Sequence, residues 1–584
     1  MRIAGLVILI VAGIALAGPA KAASDRDWDQ CKDVNNAEAA DQNIAACTRI
    51  LDSGRESNKN RSAALTNRCA LWNTKVQPDR ALADCNEALR LTPRDAIIFN
   101  NRGNAYGDKK DPDRAIADYN MAIQIDPKYA LAYNNRGNRY FDKKDYDRAL
   151  ADYAAAIRLD ANYALPHNNR GLIYYNRNDF DRALADYNDA IRLDPNYAKA
   201  YDNRGDVYKA KGDLDRAIAD YSAAISRNPK FATAYIDRGL IYRMKGDSDR
   251  AIADYSEAIR IEPRNAYAYN NRGYAYYLTN DYDHAIADYS ESIRIEPNAG
   301  RYANRGNAYG GKGDLDTAIA DFNEAIRLEP SAGRYIDRGN LYGRKKDSEH
   351  AIADYSEAIR LDPKSDTAFN NRGYENFGKQ NYDLAIADYN EAIRLDPKLV
   401  RYYSNRASAY AAKGDTEHAT ADYDEMIKLN PKNAYNYRTR GLAYFYSGAL
   451  PKALADINQA SDLDPKEAYH AIWLDIIGQR NKVPSRLSQS VPQIDMTVWP
   501  APVIRMFLGQ LTPAAVLAAA DNADAKTKSN QVCEANFYSG ELALRQGAKD
   551  EAARLFKIAV SDCPKTFIEW DAAKSELKGL GVAN

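Results

Sequence analysis

Three sets of residues in this 584-residue chain have types and spacings that could do chemistry: a recurring arginine and aspartate, a recurring asparagine, and six cysteines. Arg68, Arg102, Arg136, Arg170 and their successors to Arg440 each stand sixteen residues ahead of an aspartate, from Asp84 and Asp118 to Asp456. A guanidinium and a carboxylate can close a two-bond fork if two helices bring them level. Pairs such as Arg102 with Asp118, Arg136 with Asp152 and Arg170 with Asp186 would then fix helix register, within one hairpin or across to the next. The competing reading is a charged binding groove. Both positions flank packing residues, which favours the structural reading.

One residue before each arginine stands Asn67, Asn101, Asn135, Asn169, Asn203, Asp237, Asn271, Asn304, Asp337, Asn371, Asn405 or Thr439. A carboxamide can bond both the N–H and the C=O of a peptide unit, so a ladder of them could grip an extended backbone. The alternative is local bonding near the start of a helix. Asparagine is a middling helix former, and its return in one phase needs a reason.

No P-loop, G-x-S-x-G, HExxH or histidine cluster is present, so neither an enzyme nor a cofactor is expected. His284, His350 and His418 replace a recurring arginine on an exposed face, and His167 replaces an aromatic core residue. Cys31, Cys47, Cys69, Cys85, Cys533 and Cys563 form no CxxC, which argues against zinc and for disulfides. With 80 basic and 81 acidic residues interspersed, no broad field exists for nucleic acid.

The elements that place these groups follow from a beat of 34 residues. Glycines at 103, 137, 171, 205, 239, 273, 306, 339, 373 and 441 keep it, with two steps of 33 at PNAGRY (297–302) and PSAGRY (330–335). Those short steps read as local changes of pitch. Phe99, Gly103 and Tyr106 fall on one face of a first helix; Asp111 caps a second, with Pro112 at its first position. Ala115, Tyr119 and Ala122 form its inner stripe, and Pro127 stops it. The tyrosine excess, 43 against 12 Phe, is read as this packing phase repeated: Tyr106, Tyr140, Tyr174, Tyr208, Tyr242. Repeat 10 breaks it with Asn376.

This phrase resembles the tetratricopeptide repeat (TPR), in twelve copies over residues 62–467. The resemblance implies an all-α, right-handed α-α superhelix, a TPR solenoid with helical caps. With the repeat glycine numbered 8, the asparagines take position 6. Positions 2, 6, 9 and 13 form a stripe that in TPR superhelices lines the concave surface, and some TPR proteins hold extended peptides on such a ladder. Leu172, Leu240, Tyr274, Tyr277, Tyr374 and Phe377 would add apolar contacts.

Residues 1–22 read as a signal peptide: Arg2, an apolar run from Ile3 to Ala17, then Ala20-Lys21-Ala22. Pro19 stands where a lipobox would need cysteine, so no stable membrane anchor is expected, and the location read is the bacterial periplasm. Residues 23–61 form a degenerate capping hairpin. Backward numbering puts Cys31 and Cys47 at positions 8 and 24, like Cys69 and Cys85, which favours those two pairings. Residues 468–530 read as a non-repeat helical connector. Residues 531–584 read as a TPR-like hairpin plus capping helix, with Cys533 and Cys563 at the hairpin's two ends.

WPAPVIRMFLGQLT, EANFYSGELALRQG and ARLFKIAVSDCPKTFIEWDAAKSELKGLG resemble the C-terminal module of the NlpI family of bacterial envelope TPR proteins. That family implies an adaptor joining a protease and cell-wall hydrolases, and members that dimerise. Its lipid anchor is missing here and the array is far longer. The expectation is a periplasmic adaptor that grips extended peptide segments or protein partners. The alternative is a structural bridge in an envelope export or assembly complex.

Overall fold

The computed structural model describes residues 24–564 and 567–582, and the described residues contain no strand. The leader read over residues 1–22 lies outside them. The chain divides into two compact units, one ending at Glu296 and the other beginning at Pro297. The division falls in the first short connection, where the sequence pointed only to a change of pitch. Residues 296–298 join Tyr282–Ile295 to Ala299–Lys312, whereas residues 262–265 join Ser248–Ile261 to Ala266–Leu278.

The first unit is a leading hairpin, Asp25–Lys32 with Ala40–Asp52, followed by repeats 1 to 7. Disulfides Cys31–Cys47 and Cys69–Cys85 staple its first two hairpins. Repeat 2 shows the local logic. Helix Ala96–Asp108 leads into helix Pro112–Ile125, whose N-cap Asp111 accepts from the Arg114 N–H at 3.1 Å. Between them Lys110 takes φ 59°, a left-handed turn that Gly212 and Gly246 fill in repeats 5 and 6 without steric cost.

The repeat glycines make room for the large residue sixteen positions on, a tyrosine in most repeats, Phe322 opposite Gly306 and Ile457 opposite Gly441. A Cβ on Gly103 would lie 2.7 Å from Tyr119 Cε1, and one on Gly171 2.8 Å from Tyr187 Cε1. Tyr119, Tyr153, Tyr187, Tyr221, Tyr255 and Tyr289 are therefore fully buried between paired helices. The tyrosine three residues after the glycine, read as the packing phase, plays a more superficial part. Tyr106, Tyr174, Tyr208 and Tyr242 are half-buried, each beneath the guanidinium of Arg114, Arg182, Arg216 or Arg250 at 4.4–4.9 Å.

The second unit holds repeats 8 to 12 and a closing module. His350 and His418 stack at 5.0 Å on Tyr342 and Tyr410, taking over the arginine's place above the ring. Asn376, standing for the missing tyrosine, is buried and donates to Asp388 at 3.4 Å. After Ala468–Arg480 come short helices Ala501–Phe507 and Pro513–Ala519, the latter capped by Thr512. Ala525–Arg545, Lys549–Asp562 and Ile568–Gly579 complete the module around Trp473, Phe537, Tyr538 and Phe556. Gly540 meets Phe556 as repeat glycines meet their tyrosines, with a would-be Cβ 2.7 Å from the ring, and Cys533–Cys563 closes the hairpin.

One helix, Asp366–Gly378, tests the packing rule. A Cβ on Gly373 would lie 2.8 Å from Tyr389 Cε1, while one on Gly378 would meet nothing within 4 Å. Gly373→Ala should cost about 1–3 kcal/mol from overpacking, and Gly378→Ala should leave stability unchanged or raise it. Equal urea midpoints by circular dichroism would contradict this account.

Candidate functional site

The arginines and aspartates come together within each hairpin. Arg102 Nε and Nη2 donate to the two oxygens of Asp118, both at 2.7 Å, and Arg136 forks Asp152 at 2.8 and 2.6 Å. Arg170 forks Asp186 at 2.9 and 2.7 Å. The third donor, Nη1, reaches back to the preceding repeat, from Arg102 to Asn86 Oδ1 at 2.9 Å and from Arg204 to Asn188 Oδ1 at 2.6 Å. The aspartates are buried and the guanidinium lies over the aromatic at position 4, for instance Phe99 at 5.3 Å. These donors are spent on the fold and line no charged groove.

The asparagine ladder is placed differently from the expectation. Asn101, Asn135, Asn169, Asn203 and Asn271 are buried. The amides of Asn135, Asn169 and Asn203 donate to the neighbouring first helix, whereas Asn271 Nδ2 is enclosed without a partner. Asn135 Nδ2 donates to Asn100 Oδ1 at 3.0 Å and Asn104 Oδ1 at 3.3 Å, one repeat back. Asn169 does the same to Asn134 and Asn138, at 3.2 and 3.0 Å, and Asn203 reaches Asn168 at 2.8 Å. In the second unit Asn371 donates to Asn340 at 3.0 Å and Asn405 to Asn370 at 2.8 Å, while Asn304 and Asp337 are half-buried. The physical reason is supply: where the preceding repeat has asparagine at position 5 or 9, as before Asn135, Asn169, Asn203, Asn371 and Asn405, its side-chain oxygen accepts from the ladder amide. The ladder registers hairpins, and backbone gripping through these amides is set aside.

Repeats 5 and 6 break the ladder with acids. Lys209 Nζ bonds Asp206 at 2.6 Å and Asp237 at 3.3 Å, and Lys199 bonds the buried Asp202 at 2.8 Å. Burial, and then the neighbouring Asp206, push the Asp237 carboxyl up to about 7 against the pull of Lys209. Burial opposes the Lys209 charge, but Asp237 and Asp206 outweigh it and hold the ammonium above the usual lysine range.

Of the apolar candidates, Leu172, Leu240, Tyr274 and Tyr374 stand at position 9 of the first-helix stripe, and Tyr277 and Phe377 at position 12, next to it. Leu172 and Leu240 are half-buried; Tyr274 and Tyr277 are half-buried and stack at 6.2 Å, with the Arg243 guanidinium 4.9 Å from the Tyr274 ring. In the second unit Tyr374 is 63% exposed, and Phe377 leans on Tyr382 at 5.6 Å. Met244, Tyr267 and Leu278 are exposed as well, at positions 13, 2 and 13 of the stripe. Their spacing could have singled them out from sequence.

The closing module hides acids that no motif announced. Glu534 is buried and accepts from Tyr469 Oη at 2.7 Å and Trp499 Nε1 at 2.8 Å. Burial and then Glu569 push its carboxyl up to about 7. Glu569 in turn accepts from Tyr538 Oη at 2.8 Å.

Comparison with known proteins follows the same geometry. A TPR repeat model matches residues 137–178, 171–212, 205–246, 239–280 and 373–414. Tetratricopeptide repeat models match 96–129, 266–299, 301–331, 332–365 and 400–433, and together these segments span more than half of the chain. Among solved structures, a tetratricopeptide repeat protein from Parabacteroides merdae is 21% identical over 42% of this chain and 98% of its own, with a TM-score of 0.33. MamA is 30% identical over 28% of this chain and 95% of its own, at 0.26. YrrB, described as a TPR protein with an unusual peptide-binding site, is 26% identical over 32% and 95%, at 0.26.

Two outcomes follow from the ladder. Asn169→Ala should cost about 1–3 kcal/mol by leaving enclosed acceptors on Asn134 without a donor, read as a lowered urea midpoint with helicity retained. Asp237 is an ordinary aspartate, near 3.9, once unfolded. The fold favours its protonated form, so this stability is full below that value and fades as pH rises through about 7. Asp237→Asn should make the decline between pH 4 and 7 shallower; an unchanged slope would contradict the assignment.

Proposed function

Because the chain belongs to the tetratricopeptide repeat family, whose repeats build protein–protein interaction scaffolds, we propose that it is a binding scaffold for extended peptide segments or protein partners. The observation that carries this reading is the stripe on the first helices of repeats 6 and 7, where Met244, Tyr267 and Leu278 are exposed beside Tyr274 and Arg243. Tyrosines give large contact area at low entropic cost, and an arginine over a ring adds a charge for acidic or aromatic side chains. With the ladder amides of repeats 3 to 5, 10 and 11 bonded to neighbouring asparagines, affinity rests largely on other side-chain contacts, and so does selectivity.

Pairing of all six cysteines supports an oxidising compartment, in keeping with a periplasmic location after leader removal. The resemblance of the closing module to the NlpI family motivates a narrower form of the proposal: an adaptor for envelope proteases or cell-wall hydrolases. No catalytic role is proposed.

The test uses fluorescence anisotropy with a labelled, reduced and carboxymethylated unfolded protein, and its folded counterpart as control. The unfolded probe should bind, and the double change Tyr267→Ala with Tyr274→Ala should weaken it about tenfold, roughly 1.4 kcal/mol. Binding of the folded probe alone, or equal binding by the variant, would favour a bridging scaffold instead.

A further inference from the structure

A cavity of about 560 Å3 lies where the last repeat meets the helix that follows it, apart from the stripe of repeats 6 and 7. Helix Ala434–Tyr446 supplies Tyr435 and Arg438 to its lining, and helix Ala468–Arg480 supplies His470. Arg438 is the one arginine at position 5 in the twelve repeats, a place where Asn100, Asn134 and Asn168 feed the ladder. No ladder amide follows it, because the next helix carries Trp473 at position 6.

The Arg438 guanidinium is half-buried and, among the described residues, makes neither a hydrogen bond nor an ion pair. Its Nε is enclosed; its two terminal nitrogens, Nη1 and Nη2, are open. Arg440, two residues on, spends its fork on Asp456, but that of Arg438 is unspent. The guanidinium carbon lies 5.4 Å from the centre of the Tyr435 ring, which is 50% exposed. His470 is 3% exposed, and its Nδ1 lies 3.1 Å from the Asp464 carbonyl oxygen. That oxygen can only accept, so Nδ1 carries the hydrogen. Burial holds the imidazole below the usual histidine range against the Asp464 bond, and the Arg438 charge adds its own push, so the two residues are close enough to act together. The neutral ring keeps a lone pair on Nε2, which faces the cavity without a donor. A buried acceptor of this kind is normally matched. Asp464 and Glu467 share the lining with Lys432, and neither acid pairs with Arg438; Glu467 instead accepts from the Tyr469 N–H at 3.2 Å.

We propose that this cavity binds a small carboxylate with an N–H or O–H donor on the adjacent carbon, its carboxylate forked by Arg438 Nη1 and Nη2 and its donor answered by His470 Nε2. One open guanidinium is enough for the first grip, since both of its terminal nitrogens reach the same carboxylate. The second needs the opposite chemistry, and an α-amino or α-hydroxy acid presents donor and carboxylate on neighbouring atoms. A sulfate would offer oxygens to Arg438 and nothing to His470. Tyr435 and Leu463 give an apolar wall for the ligand's side chain. The volume falls within the range of small-molecule sites, about 300–1,000 Å3. The ammonium of an amino acid would also draw on Asp464 and Glu467, whereas a hydroxyl would not.

The test is isothermal titration calorimetry on the full chain with four probes: leucine, 2-hydroxy-4-methylpentanoate, 4-methylpentanoate and leucinamide. At least one of the first two should bind, and the tighter of them tells an amino acid from a hydroxy acid. 4-Methylpentanoate, which lacks the donor, should bind about tenfold more weakly, and leucinamide, which lacks the carboxylate, should not bind. Arg438→Gln should weaken the tighter probe about tenfold or more, and His470→Phe should erase its advantage over 4-methylpentanoate. Emission from Trp473, three residues from His470, checks that each variant keeps its fold, and the probe series on the unchanged chain decides the matter even where His470→Phe does not fold. No binding of leucine or the hydroxy acid at about 10 mM would overturn the proposal. So would equal binding by 4-methylpentanoate or leucinamide, or unchanged affinity in a folded Arg438→Gln chain. None of these results bears on the stripe of repeats 6 and 7.

Discussion

A single guanidinium closes two joints at once, and the array depends on it. Arg102 forks Asp118 across its own hairpin and reaches Asn86 in the hairpin before, and Arg136 does the same with Asp152 and Asn120. Two of its bonds set the height of one helix against its partner, and the third sets one repeat against the last. Losing one partner of such a pair strands a buried charge, at about 3–5 kcal/mol. The fork recurs in every repeat, so the chain writes the same two residues twelve times, while the third bond is missing at Arg170, where Ala154 offers no acceptor. Lysine would not serve, because a point charge cannot hold a fork and a third contact in one plane.

Around that joint the remaining positions are steric consequences. The aromatic behind the fork is buried, and the facing residue is kept small, glycine in most repeats and Ala407 opposite Tyr423, to let the helices approach. Much of this was legible in the sequence, because a period of 34 turns a weak signal into a repeated one. The helix pairs, the Asp111-type caps, the forks and the cysteine pairs at matching positions are all local or periodic facts. The division after Glu296 was harder to see. Losing one residue from a connection looks the same in sequence whether it adjusts pitch or ends a compact unit.

The ladder shows where periodicity misleads. It fixes which residues share a face, but leaves open whether that face meets ligand or the next helix. The deciding signal was the doublet: Asn100-Asn101, Asn134-Asn135, Asn168-Asn169 and Asn370-Asn371. The first amide of each later-answered doublet is the acceptor for the second position of the following repeat, as in Asn135 to Asn100 and Asn405 to Asn370. In repeats 6 and 9 position 5 is Ile236 or Ile336, the ladder residue is Asp237 or Asp337, and the amide chain is interrupted. The closing module offered no period at all. Glu534 and Glu541, seven residues apart on one helix face, look like solvated charges until the surrounding helices are placed.

What the fold leaves over decides how it can meet other molecules. On the first-helix stripe most ladder amides bond a neighbour, Asn271 Nδ2 being an exception, so the exposed side chains are largely aromatic or aliphatic, with Arg243 at their edge. Such a surface recognises shape and apolar area, and can discriminate among partners without a conserved polar grip. In the closing module an apolar core around Trp473 encloses buried acids, Glu534 and Glu569 among them, that accept from Tyr469, Trp499 and Tyr538.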